Sequence, residues 1–298
     1  MTGPVLATFL ERERVPVDAA LERVTRVEGA HQVAEGVRYA VRGGGKRLRP
    51  VLVVAGYRAF TTTVPEPVYD LAAALELIHT YSLVHDDLPS MDDDPVRRGR
   101  PATHVRYGVA AATVAAAAMI PLSLQVAAVA CRRLGLPPAR RSQVLLPVFA
   151  AAGAGGMVGG QVMDLGAEGR ELSVPELEDI HRRKTGALLG VAARLGAAAA
   201  GAGAQALDAL QRYGAALGLA FQITDDILDV VGTTARLGKT VGRDDVLAKA
   251  SFAGIEGVER ARAHARREVE AAVAALRAGA IRSSELEALA HYAAERDR

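Results

Sequence analysis

Apolar positions in this chain run in long segments rich in alanine and leucine rather than in short alternating ones. Good helix formers dominate, and alternating runs of β-branched residues are scarce, so the pattern predicts an all-α protein. Helix-breaking residues cluster at Arg42 to Gly45, Thr61 to Pro67, Pro89 and Pro95 to Pro101. They recur at Gly135 to Pro138, Gly166 to Pro175, Gly201 to Gly203 and Gly232 to Gly242. The segments between are about 15 to 30 residues long, lengths suited to a bundle of long helices. No Ser-rich or Pro-rich linker divides residues 1–298, so one domain is expected.

Two uncharged stretches, Val109 to Cys131 and Ser142 to Met163, are long enough to raise membrane insertion. Both are mostly alanine and glycine and carry Pro121, Gln125, Pro147 and Gln161, which makes them weakly hydrophobic for a bilayer span. The expectation is therefore buried helices of a large soluble domain, not an integral membrane protein.

One pattern recurs at long range. LELIHTYSLVHDDL, residues 75–88, resembles LGLAFQITDDILDV, residues 217–230, and each is an apolar helix-like run that delivers two adjacent aspartates. Asp225 and Asp229 are spaced i,i+4 and Asp226 and Asp229 i,i+3, which brings their carboxylates together on a helix surface, with Gln222 one turn earlier. Asp86, Asp87 and Asp92 do not fit an uninterrupted helix, because five or six residues rotate the third carboxylate away. Pro89 is expected to end or bend the helix and let Asp92 swing back. Carboxylates without histidine or cysteine partners suit a hard cation, and Mg²⁺ takes one or two of them while substrate phosphates and waters complete its shell.

Net charge changes little in this picture. With 36 basic and 34 acidic residues the balance is +2, so nothing marks the whole chain as a nucleic-acid binder, and strong electrostatics must be local. The sole cysteine, Cys131, excludes an intrachain disulfide and CxxC metal sites and fits a reducing cytoplasm; no export signal is read at the N-terminus. Local positive charge does sit where phosphates would need it: GGGKRLRP at 43–50, Arg97 and Arg98 after the first acidic cluster, KTG at 184–186 and GK at 238–239. GAGGMVGGQ at 153–161 has neither nucleotide-loop spacing nor its GKS/T ending, and packing of helices explains its glycines better.

LVHDDLPSMDDDPVRRGRPATH resembles the first aspartate-rich motif of the trans-isoprenyl diphosphate synthases, in the bacterial form with two extra residues, and FQITDDILD resembles their second. GGGKRLRP, GGQVMDLGAEG, HRRKTGALL and LGKTVGRD are similar to the intervening family segments, in family order, so that the likeness spans roughly residues 40 to 255. It implies an all-α bundle around a deep cavity, usually homodimeric, that joins an allylic diphosphate head-to-tail to isopentenyl diphosphate. Carried over, Asp86, Asp92 and Asp225 would hold magnesium, with Asp87, Asp226 and Asp229 in or near the shell. Arg97, Lys184, Thr185, Gln222 and Lys239 would grip the allylic diphosphate; Lys46, Arg49, His79 and Arg98 would bind isopentenyl diphosphate.

In a helix, Tyr81 would lie about 7 Å deeper than Asp86. An aromatic there, beside Ser82, accompanies short products in the family, so mainly C15 farnesyl diphosphate is expected, with a C20 geranylgeranyl synthase as the alternative. The chain departs from the family pattern at Pro95, where an acidic residue is common, and at Ala248 and Ser251 around Lys249. A terpene cyclase is a weaker fit, since the chain has no tryptophan and only 4% aromatic residues to cradle a cation. A silent subunit of a heteromeric synthase is disfavoured by the full acidic and basic set.

Overall fold

In the computed structural model, which describes residues 3–26, 31–231 and 250–295, every long apolar segment is helical. The order is α1 Gly3–Val24, α2 His31–Val41, α3 Leu48–Arg58, α4 Glu66–Asp86, α5 Thr103–Tyr107, α6 Val109–Arg133, α7 Pro138–Ala152, α8 Met157–Gly166 and α9 Val174–His181. A π-helical turn, Arg182–Gly186, leads into α10 Ala187–Ala199, followed by α11 Ala204–Val231, α12 Phe252–Glu256, α13 Val258–Ala278 and α14 Ser284–Glu295. The only strands among the described residues are β1 Val96–Arg97 and β2 Arg100–Pro101, paired antiparallel. The predicted break at Gly232 to Gly242 lies outside the described residues, as does Lys249.

The centre of the bundle is built from α3, α4, α10 and α11, whose apolar residues face inward on nearly every side. Leu52, Leu71, Leu75, Leu188 and Leu189 are all but wholly buried, each contributing on the order of 1.5–3 kcal/mol relative to exposure. Helices α3 and α10 touch backbone to backbone. A Cβ on Gly56 would stand 2.0 Å from the Ala193 carbonyl oxygen, and one on Gly196 would stand 1.9 Å from that of Val53. Only glycine permits that approach.

One local expectation needs correction. Helices α6 and α7 run through Pro121 and Pro147, and the second uncharged stretch is broken at residues 153–156, between α7 and α8. But α6 is not the buried helix expected. Its Ala112, Ala115, Ala116, Met119 and Ser123 pack inward, with the Ser123 hydroxyl donating to the Ala74 carbonyl at 2.7 Å. Val114, Ile120 and Leu124 on the other side are exposed, which an alanine-rich composition read as burial did not reveal.

Candidate active site

The first acidic motif ends α4. Asp86 is the last helical residue, and the chain then doubles back so that the Asp92 N–H donates to the Asp86 carbonyl at 2.9 Å, the return that Pro89 suggested. The basic pair that follows is set by a two-residue hairpin. Arg97 pairs with Arg100 across β1 and β2, and the loop residues Arg98 and Gly99 both have positive φ, 54° and 72°, as the type I′ turn requires. This turn sends the two arginines to different partners. Arg97 donates from Nε to Asp87 at 2.9 Å, and Arg98 reaches the Gly44 carbonyl on the GGG loop.

GGGKRLRP divides its cations likewise. Arg47 is buried in a left-handed conformation and held by Asp18 at 3.0 Å, Glu76 at 3.0 Å and the Val41 carbonyl at 2.8 Å, so it belongs to the frame. Two residues on, Arg49 enters the wall of a cavity of about 200 Å³. Its buried Nε has no hydrogen-bond partner among the described residues. Lys46 is exposed, its Nζ 5.7 Å from the centre of the Phe221 ring.

That cavity gathers part of the expected site. Arg49, His79, Asp86, Lys184 and Thr185 line it together with the apolar or aromatic Tyr81, Leu83, Met91, Met157, Val158 and Val162. Ser82 and His85 complete that side, where the Tyr81 and His85 rings stand 4.8 Å apart. Arg97 and Arg98 line a smaller adjoining recess with Asp87 instead. Burial raises Asp86 to about 6, with Lys184 opposing and Asp92 adding to the rise. Burial first, and then the charges of Arg49, Arg98, Arg97 and Arg47, hold His79 well below its ordinary value. His79 is therefore a neutral ring within a cationic group.

The second motif sits on α11. Thr185 donates its hydroxyl to the Gln222 side-chain oxygen at 3.0 Å; Gln222 donates to Asp226 at 3.1 Å; the Phe252 N–H donates to the other Asp226 oxygen at 2.9 Å. Asp226 and Asp229 are buried and Asp225 half-buried, and Asp225 is close enough for its charge to act on Arg49 and His181. Lys239 lies outside the described residues.

Two residues went unassigned in the sequence. Asp164 on α8 accepts from Lys184 Nζ at 2.6 Å. Gln161, one turn earlier, lines the cavity, and both polar atoms of its amide are buried without a partner among the described residues. An unmatched buried polar group costs on the order of 1–3 kcal/mol. The signal available was the i,i+3 spacing of Gln161 and Asp164 in GGQVMD, a segment matched to the family as a whole with neither residue given a role.

Among the described residues no three acidic, histidine or cysteine side chains converge on a ready-made metal cage. The all-carboxylate donors in two motifs beside a cationic cavity nevertheless fit Mg²⁺, which characteristically binds through one or two carboxylates and completes its shell with phosphates and water.

A family model, polyprenyl synthetase, matches residues 30–287. The chain is 45% identical over 276 residues to the farnesyl diphosphate synthase of Escherichia coli, covering 89% of this chain and 90% of that one. It is 38% identical over 291 residues to the farnesyl diphosphate synthase of Geobacillus stearothermophilus, covering 97% of each. A solved FPP/GFPP synthase from Zymomonas mobilis superposes with a TM-score of 0.83 at 32% identity, covering 98% of this chain and 99% of that one. A geranyltransferase from Helicobacter pylori, complexed with magnesium and isoprenyl diphosphate, gives 0.83 at 28% identity, covering 98% and 97%. The chain belongs to the polyprenyl synthetase family, an all-α family of prenyltransferases.

Proposed function

We propose that the protein is a short-chain trans-prenyltransferase that condenses isopentenyl diphosphate with dimethylallyl or geranyl diphosphate and releases mainly farnesyl diphosphate. The observation that carries this reading is the polarity of one cavity. Asp86, Lys184 and Thr185, with Arg49 and His79, supply charge and hydrogen bonds, while Tyr81, Met91, Met157, Val158 and Val162 supply an apolar wall for a hydrocarbon chain. Relatives named as farnesyl diphosphate synthases support the C15 product.

Heterolysis of the allylic C–O bond leaves its electron pair on the departing diphosphate, and fixed cations lower the barrier by being aimed there in advance. Lys184 and Arg97 fill this role, with Thr185 and Gln222 donating hydrogen bonds; Lys239, outside the described residues, is assigned to it by the family resemblance alone. Magnesium, when held by Asp86, Asp92 and Asp225 with Asp87, Asp226 and Asp229 behind them, supplies Lewis-acid neutralisation of the diphosphate. Lys46, Arg49, Arg98 and neutral His79 orient the second diphosphate, which brings the isopentenyl double bond to the cation. Proton loss to the released diphosphate completes the product.

The exposed uncharged side of α6, including Val114, Ile120 and Leu124, supports a homodimer assembled through this helix, which sedimentation of the purified chain tests. The buried lone cysteine suits the cytoplasm. For the reaction, the protein is incubated with dimethylallyl and isopentenyl diphosphates and Mg²⁺, and the product is identified by chain length. C15 is expected. A C20 product would select the geranylgeranyl alternative, and no product from any allylic starter would overturn the reading.

A further inference from the structure

We propose that Gln161 is a further catalytic residue, whose amide oxygen faces the allylic carbon as it becomes a cation. The inference deepens the prenyltransfer reading and rests on it.

Three observations place the side chain for this work. Gln161 lines the same cavity as the polar residues Asp86, Lys184 and Thr185 and the apolar Met157, Val158 and Val162. Its oxygen and nitrogen are both buried and unpartnered among the described residues, so rotating the amide to present either end sacrifices no hydrogen bond. And α8 is fixed against the π-helical turn that carries Lys184 and Thr185. A Cβ on Gly160 would stand 2.2 Å from the Lys184 nitrogen, while Asp164 holds Lys184 Nζ at 2.6 Å from the same helix. The unpaired amide therefore sits on a helix packed directly against the turn that carries the leaving-group contacts.

The chemistry favours an amide at such a point. When the C–O bond breaks, both electrons leave with the diphosphate oxygen and positive charge spreads over the allylic carbons. A neutral carbonyl dipole stabilises that charge without forming a bond to it. A carboxylate there could be alkylated, and a water molecule would capture the cation. The charge is then removed when the isopentenyl π electrons form the new C–C bond and a proton passes to the released diphosphate. An unsatisfied amide carbonyl beside Met157, Val158 and Val162 gives the cation a neutral dipolar partner that is a weaker nucleophile than a carboxylate or water.

The test separates charge from shape. Two non-reacting ligands are titrated in the presence of Mg²⁺: an ammonium analogue of the allylic cation bearing the diphosphate, and the allylic thiolodiphosphate, whose hydrocarbon part is uncharged. Gln161→Leu is expected to weaken the ammonium analogue at least tenfold while leaving the thiolodiphosphate within threefold of the unmodified protein. Gln161→Met serves if the leucine variant does not fold. Gln161→Glu restores an oxygen and is expected to bind the ammonium analogue at least as tightly as the unmodified protein. Loss of both ligands together, loss of neither, or a glutamate variant no better than the apolar one would each overturn the role. If the unmodified protein bound neither ligand, the prenyltransfer reading itself would fail.

Discussion

Lys184 Nζ lies 2.6 Å from Asp164 Oδ2, so the lysine in the cavity wall is anchored from α8 rather than left to sample its rotamers. The pair is largely shielded from water, with side-chain exposures of 22% and 15%, and a charge-assisted contact in such surroundings directs a flexible ammonium. Asp164→Asn keeps the shape and removes the charge. The expected outcome is about a tenfold fall in kcat/KM for the allylic diphosphate, equivalent to about 1.4 kcal/mol, with KM for isopentenyl diphosphate nearly unchanged. Steady-state kinetics with each substrate varied in turn measures both; an equal loss for the two would mean that Asp164 supports the whole cavity instead.

Arg47 and Arg49 belong to one motif and should fail differently. Removing Arg47 leaves Glu76, whose side chain is 3% exposed, without its charged hydrogen-bond partner. Breaking a buried pair from one side costs about 3–5 kcal/mol, so Arg47→Met is expected to lower urea stability by that amount. Arg49→Met removes a side chain whose Nε has no acceptor among the described residues, so stability should shift by no more than about 1 kcal/mol. Its KM for isopentenyl diphosphate should rise at least tenfold, an effect on the order of 1.4 kcal/mol. Reversed results would exchange the framework and binding assignments.

The same contrast shows what the sequence could convey. Helix breaks, the return of the chain after Pro89 and the two acidic motifs all depend on local chemistry, and they were legible. The division of labour between Arg47 and Arg49 was not, because it depends on Asp18 and Glu76 arriving from α1 and α4. Nor was the hold of Asp87 on Arg97, which follows from the hairpin turn at Arg98 and Gly99. Gln161 and Asp164 became meaningful only once Gly160 had brought α8 against the π-helical turn. The exposed face of α6 was misread for a related reason: composition reports how apolar a helix is, not what covers it.

Product length should respond to Tyr81. Its ring lines the cavity and lies 4.8 Å from that of His85, one turn nearer the aspartates on α4. Tyr81→Ala opens space below His85 and is expected to move the main product from C15 to C20 or longer, with little loss of total isopentenyl incorporation. Separation of the dephosphorylated alcohols by chain length reads this directly. An unchanged C15 product would show that the floor lies elsewhere.

Removing metal should separate catalysis from folding. Within the protein, Asp87 is already satisfied by Arg97, and Asp226 by Gln222 and the Phe252 N–H, so the acidic motifs meet part of their electrostatic cost without a cation. The hydrophobic core around α3, α4, α10 and α11 makes no use of these carboxylates. Chelation with EDTA is therefore expected to abolish turnover while helix content and Tm stay within a few degrees, and added Mg²⁺ should restore activity. Variants sharpen the distinction. Asp86→Asn alters a cavity-lining carboxylate and should slow turnover at least 100-fold, about 2.7 kcal/mol, with Tm preserved. Asp87→Asn deprives Arg97 of its principal partner and should lower Tm as well as activity. Full turnover in EDTA would remove the metal from the mechanism, and loss of helix content on chelation would make it structural.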